Sequence, residues 1–459
     1  MIPSRTAAQY GCFLAASLHA AIASAALPNA SASASAAAPP LVLEAPAKTG
    51  RETAATRLRP STSDAPIVAC SFYEAVCVHA PRDAPSAALE TTLRDAENAL
   101  FGLRALDLPL PLHDGTLGGN GFFDVYLLAR ATPPATTIDR LPTPGNYDTH
   151  SAFAVLPTPD ARAGCEASSR VARAIALGSF LGLDAAASEG VLAMASSYLA
   201  SLVAPCSLVE IGAVDDLQRS PERAITAAEM SEFDGSMLFP WYLDDVYGTG
   251  RPGRVITALI AIATQRTPAG SWRWNNEPDV FDALRSTLKS QGSSLHDLLL
   301  DFAVDRAFVG SRSDGAHLGD VERFGDFGRV RFDWSVPYAS LPRSLAPLYP
   351  IDSTGSFYAW VDLAGAPKEA ELSLVFSWEL PVLMRWALVK VSEDGTESAR
   401  ILVPGIVGST RAQKTLTGLE GLAGVMIVAV NLGDIDRANP FDPDEAPFEP
   451  HGLTLSIYP

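Results

Sequence analysis

The chain has seven histidines in 459 residues and none between His150 and His296. Its middle therefore lacks the side chain that most often ligates a catalytic metal. The five cysteines show no C-x-x-C spacing, which argues against a zinc site built from thiolates. No G-x-S-x-G elbow occurs, so a serine hydrolase has no support in the sequence. Basic residues are few, 34 against 52 acidic, for a formal charge of −18. Such a surface repels phosphate backbones, and nucleic acid is not an expected partner. Beyond the N-terminus no apolar run approaches the roughly 20 residues needed to cross a bilayer, and we find no internal repeat.

What is present begins with Arg5, a weakly hydrophobic run from Tyr10 to Leu27, and small-residue sites at Ala23-Ser24-Ala25 and Ala30-Ser31-Ala32. This pattern predicts a secretory signal over residues 1–32 and an exported protein in the periplasm, on the cell surface or outside the cell. His19 weakens the same run as a membrane span. Residues 33–65 are rich in Ala, Ser, Thr and Pro without a sustained period and read as a disordered tether or a short pro-segment. Once Cys12 leaves with the signal, Cys70, Cys77, Cys165 and Cys206 remain. An even number fits two disulfides in an oxidising compartment. Of the three pairings available, sequence neighbourhood favours Cys70 with Cys77 and Cys165 with Cys206.

From residue 66 the periodicities change along the chain. IVACSFYEAVCVHA reads as a strand region closed by a small disulfide loop, and Leu89, Leu93, Ala96, Leu100 and Leu103 recur at helical spacing. FFDVYLLAR and SAFAVLP read as strands. Glu166 to Leu181 and Ser188 to Val203 read as helices apolar on most faces, hence internal. Four more helical runs follow between residues 237 and 310. After about Asp352, short runs dense in Val, Leu, Trp and Tyr alternate with turns, the signature of a β-sandwich. The expected fold class is α+β: a mostly helical domain with a small sheet over 66–340, then an all-β sandwich over 352–459. Trp360, Trp378 and Trp386 fall within strand patterns and are expected in the sandwich core.

The order of these elements, with CVHA at Cys77 to Ala80, the loop HDGTLGGNGFFDVYL, the cysteine-bracketed helix pair and MLFPWYLDDVYG, resembles bacterial secreted metalloproteases of the gluzincin type. The resemblance covers nearly all of the chain after residue 66 and implies a zincin-like fold. In that family the first central helix carries H-E-x-x-H. Two histidines four apart share one helical face and can ligate one zinc ion, while the glutamate activates its water. A glutamate on the second helix completes the ligand set. Here Ser169 and Arg173 stand at the histidine positions and Arg170 at that of the base, and only Glu189 matches a ligand position. One carboxylate beside two permanent cations does not hold zinc. The expectation is a pseudo-metallopeptidase without zinc, in which Arg170 or Arg173 pairs with Glu189.

Other constellations are weaker. Histidines 79, 113, 150, 296, 317 and 451 are scattered over different elements. The loop from Asp114 to Asp124 offers oxygen ligands and glycines for calcium, and equally the glycines of a tight turn. Asp434, Asp436, Asp442, Asp444 and Glu445 form a second acidic stretch, a calcium loop or a solvated one. Trp272 and Trp274, followed by two amides, read as a loop anchor or as a sugar platform. The leading functional expectation is a binding or scaffold protein whose cleft is filled or takes a peptide or a cell-surface polymer. The alternatives are a hydrolase with an unfamiliar site, and an adhesion or glycan-binding protein acting through the sandwich.

Overall fold

Short runs of β-branched and aromatic residues build the first sheet. Its strands are β1 (Ile67–Cys70), β2 (Val76–Ala80), β3 (Phe123–Leu128), β4 (Ala135–Ile138) and β5 (Ala152–Pro157). They lie in the order β1-β2-β3-β5-β4. β2, β3 and β5 are parallel, and the edge strands β1 and β4 run antiparallel to their neighbours. The structure, a computed structural model, describes residues 59–128, 134–139, 149–159, 164–227, 233–264, 278–379, 382–403, 408–433 and 449–459. The signal, most of the tether, Trp272, Trp274 and the stretch holding Asp434, Asp436, Asp442, Asp444 and Glu445 lie outside the described residues.

Helix α1 (Ser86–Ala105) crosses from β2 towards β3 and buries the predicted stripe, with Ala96, Leu100 and Leu103 innermost. Helices α2 (Gly164–Leu183) and α3 (Glu189–Val203) are buried on almost all sides. Gly178 lets α2 approach β3 closely: a Cβ there would meet the Phe123 ring at 2.5 Å, well inside contact distance. Around this pair pack α4 (Ser207–Arg219), α5 (Leu238–Tyr247), α6 (Arg254–Ala263), α7 (Val280–Ser290) and α8 (Leu295–Arg306). Asp279 and Asp282 form a capping box on α7, and Ser294 caps α8. Asp244, pushed up to about 6 by burial, accepts from Tyr198 Oη at 2.9 Å and from the backbone of Val255 at 3.0 Å, capping α6 from outside. Among the described residues no helix is long and apolar enough to cross a membrane.

Both expected disulfides are present, Cys70–Cys77 closing the β1–β2 hairpin and Cys165–Cys206 joining the start of α2 to the start of α4. The tether is shorter than its composition implied. Residues 59–65 lie across the first sheet, with Ala65 buried against Tyr126, Phe153 and Val155.

The sandwich begins before the change of period at Asp352. β6 (Trp334–Pro337) and β7 (Arg343–Leu345) already belong to it, pairing with β8 (Ser356–Asp362) and β14 (Leu453–Tyr458). Their prolines and short length hide the alternation. One sheet has the order β11-β10-β13-β8-β6 and the other β12-β9-β14-β7, where β9 is Leu372–Trp378, β10 Leu383–Ser392, β11 Glu397–Val403, β12 Arg411–Leu416 and β13 Leu422–Gly433. Phe376, Trp378, Trp386, Leu388 and Ile427 fill the core between the sheets. The outer face of the first sheet is buried too: Tyr358, Val389, Met426 and Val428 join the core of the helical half. This explains why β10 and β13 read as continuous apolar runs. Trp360 departs from expectation, because it lies on this outer face, stacked on Phe332 at 6.1 Å. A Cβ on Gly424 would meet its ring at 2.2 Å.

Candidate binding cleft

A cleft of about 410 Å³ opens between β4, α2 and α4, within the range of small-ligand and peptide sites. One wall is the edge strand β4, tied to α2 by Thr136 Oγ1 donating to the Ala174 carbonyl at 3.2 Å. The floor is one face of α2, where Glu166, Arg170, Arg173, Ala174 and Leu177 recur at helical spacing. The far wall is α4, with Leu208, Gly212 and Asp216, and Phe233 closes one side.

The structure divides the four residues that the sequence resemblance singled out, Ser169, Arg170, Arg173 and Glu189. Arg170 and Arg173 reach the cleft. Ser169 is fully buried, its Oγ without a hydrogen-bond partner among the described residues. Glu189 is exposed in the first turn of α3. Arg173 is mostly buried and donates from Nε to Ser197 Oγ at 3.2 Å; the same oxygen accepts from the Asp234 backbone at 2.9 Å. Ser197 stands eight residues beyond Glu189, about 12 Å along the helix. The bond described for Arg173 on α3 thus falls two turns beyond Glu189. Burial raises the Asp234 carboxyl above its ordinary value, against hydrogen bonds from Ser236 and the charge of Arg173. Arg170 is exposed and makes no ion pair among the described residues. A guanidinium stays protonated and donates only, so the exposed Arg170 offers this floor a donor for an anionic group, with Glu166 and Asp216 lining the same space.

The calcium expectation for Asp114 and Asp124 is corrected by a cation from the chain itself. Arg59 donates to Asp114 at 2.7 Å, to Asp139 through Nε at 3.0 Å, and to Asp124. Asp124 also meets His79 Nε2 at 2.8 Å. The guanidinium lies 5.1 Å from the centre of the Phe153 ring. Burial and the neighbouring carboxylates push Asp114 up to about 6 despite Arg59. These partners are 55 to 80 residues from Arg59, beyond any local sequence pattern.

Among the described residues no three His, Cys, Asp or Glu side chains are grouped to hold a metal. The histidines do not converge. His79 backs the Arg59 site, and His113 meets the Gly121 carbonyl. His317 belongs to a network between the two halves. There, Asp314 meets its Nδ1 at 2.7 Å and Glu397 its Nε2 at 2.8 Å, while Arg400 bridges Asp301, Asp305 and Glu397.

No protein-family model matches the chain, and no curated protein matches it. Solved structures that match do so over about a quarter of this chain. The pre-peptidase C-terminal domain of a collagenase from Bacillus anthracis is 9% identical over 28% of this chain and 96% of its own, with a TM-score of 0.19. A chitosan-binding module of a chitosanase/glucanase from Paenibacillus sp. IK-5 is 12% identical over 26% of this chain and 95% of its own, with a TM-score of 0.15. The xylanase 10B modules of Clostridium thermocellum, complexed with xylohexaose, are 8% identical over 26% of this chain and 22% of their own, with a TM-score of 0.17. None of them assigns a family or a function.

Proposed function

We propose that the chain is an exported, proteolytically inactive relative of gluzincin metalloproteases whose cleft binds an extended peptide bearing an acidic group. The observation that carries this reading is the presence of Arg170 and Arg173 on the floor of a cleft walled by the edge strand β4. An edge strand offers backbone groups to an added strand. Leu177, Leu208 and Phe233 supply apolar contact, and Arg170 meets a carboxylate. The two disulfides agree with export to an oxidising compartment. A second reading, adhesion to a surface polymer through the sandwich, draws on Trp334 and Tyr349, both exposed on neighbouring segments. Retention on insoluble polysaccharide that is lost in Trp334→Ala would favour it.

Gly212 makes the cleft testable, because a Cβ there meets nothing within 4 Å. Gly212→Ala is expected to stabilise the protein by about 0.5–1 kcal/mol in thermal melts, whereas Gly212→Trp fills the cleft. With a positional library of labelled decapeptides read by fluorescence polarisation, wild type is expected to select acidic residues beside apolar ones. Gly212→Trp should lose this binding, and Arg170→Glu should reverse the acidic preference. Equal binding by Gly212→Trp, or peptide cleavage seen by mass spectrometry, would overturn the reading.

A further inference from the structure

The sheet ends, at the edge away from the cleft, in two aromatic rings held out in water. Phe72 is 99% exposed and Tyr73 85%, adjacent at the tip of the β1–β2 hairpin. The tip is not loose. The Cys70–Cys77 disulfide closes it. Ser71 Oγ accepts from the backbone of both Tyr73 and Glu74 at 3.0 Å. Three further bonds, from two donor residues, pin it to α1: Ser71 Oγ donates to Glu97 at 2.5 Å, and Arg104 donates to both oxygens of Glu74 at 2.7 Å. Glu97, Phe101 and Arg104 share one stripe of α1. Phe101, itself 67% exposed, therefore lies between the two anchoring residues, beside the tip. A disulfide, three hydrogen bonds and a two-pronged ion pair thus hold a surface whose outward groups are three aromatic rings.

β1 continues that surface. It is the terminal strand of its sheet, pairs only with β2 among the described residues, and exposes both Ile67 and Val68. Edge strands are usually blunted by charge, proline or a covering element, and the sequence IVAC carries neither charge nor proline.

We infer that β1 and the Phe72–Tyr73 tip form a docking surface for a second polypeptide, of neutral or basic character, which adds an extended apolar segment to β1 and receives the rings in a pocket. Three features select this occupant. A row of unpaired backbone N–H and C=O groups is satisfied by another strand and not by lipid tails. A charge of −18 opposes pairing with a second copy of the same chain. Rigid aromatic anchors are the side chains that carry most binding energy at protein interfaces, and their preorganisation lowers the entropy lost on binding.

This surface lies apart from the cleft, so the test is run with the cleft blocked. Random dodecapeptides displayed on phage are panned against full-length Gly212→Trp protein. Recovered peptides are expected to be apolar and poor in acidic residues, and to slow amide exchange at Ile67–Cys70. They should bind Phe72→Ser and Tyr73→Ser at least tenfold more weakly; both side chains are solvent-exposed, so folding is preserved. The inference is overturned if no peptide is recovered, or if recovered peptides are indifferent to Phe72→Ser. It is also overturned if phosphatidylcholine vesicles, rather than peptides, retain the protein in a Phe72-dependent way, or if the purified chain dimerises through β1.

Discussion

Replacing Arg59 with alanine is expected to lower the unfolding free energy by about 3–5 kcal/mol, the cost of leaving buried charges without their partner. Asp114, Asp124 and Asp139 have side chains exposed by 1% or less, so water cannot replace the guanidinium. Arg59→Lys should recover only part of the loss, since an ammonium lacks the planar fork that reaches several carboxylates at once. Combining Arg59→Ala with Asp114→Asn and Asp139→Asn should recover more, because it removes the stranded charges themselves. Urea midpoints of the full-length proteins measure all three. An unchanged midpoint for Arg59→Ala would mean that the ion pairs of Arg59 contribute nothing to stability.

The second large effect is a dependence of stability on pH centred on His317. Burial alone would lower its pKa, but hydrogen bonds to Asp314 and Glu397 and the charge of Asp305 outweigh this and raise it to about 9. A raised histidine stabilises the fold fully below its unfolded value near 6.5 and loses that contribution as pH rises through 9. The loss is of the order of 3 kcal/mol, at about 1.4 kcal/mol per tenfold change. Asp314 and Glu397 act in the opposite sense. Burial would raise them, yet their bonds to His317, and for Glu397 also to Arg400, hold both at about 2. Their contribution is present above the ordinary carboxylate range and is lost as pH falls towards 2. The contribution of His317, Asp314 and Glu397 should therefore be greatest between about pH 5 and 6.5 and fall on both sides. In His317→Gln the alkaline decline between pH 6.5 and 9 should largely vanish while the acid decline remains in weaker form. An alkaline limb unchanged in His317→Gln would assign it to another group.

Much of the fold was legible because hydrophobic period survives in single elements. The stripe of α1, the all-round apolarity of α2 and α3 and the strand runs of the sandwich each announce themselves locally. The cleft was not legible, for a specific reason. Its walls are β4 and α4, and neither gives a strong signal: ATTI has four residues beside a proline-bearing loop, and SLVEIGAVDDLQR mixes apolar and acidic positions along its length. Only the floor, with Arg170 and Arg173, could be singled out, and there the contact of Arg173 with Ser197, eight residues beyond Glu189, left no signal in the sequence. The Arg59 site and the His317 network join residues distant in sequence, and charge pairing over such separations leaves no periodic trace.

The sheet containing β10 and β13 is apolar on both faces, one turned to the opposing strands and the other to α8 and its neighbours. During synthesis the helices precede these strands, so a nascent chain carries a completed helical set whose apolar floor stays bare until the last quarter arrives. The halves cannot mature one after the other like beads on a string. For the same reason the strands cannot be transplanted as a portable module: severed near residue 333, they would expose Tyr358, Val389, Met426 and Val428 to water, an aggregation-prone face with no partner.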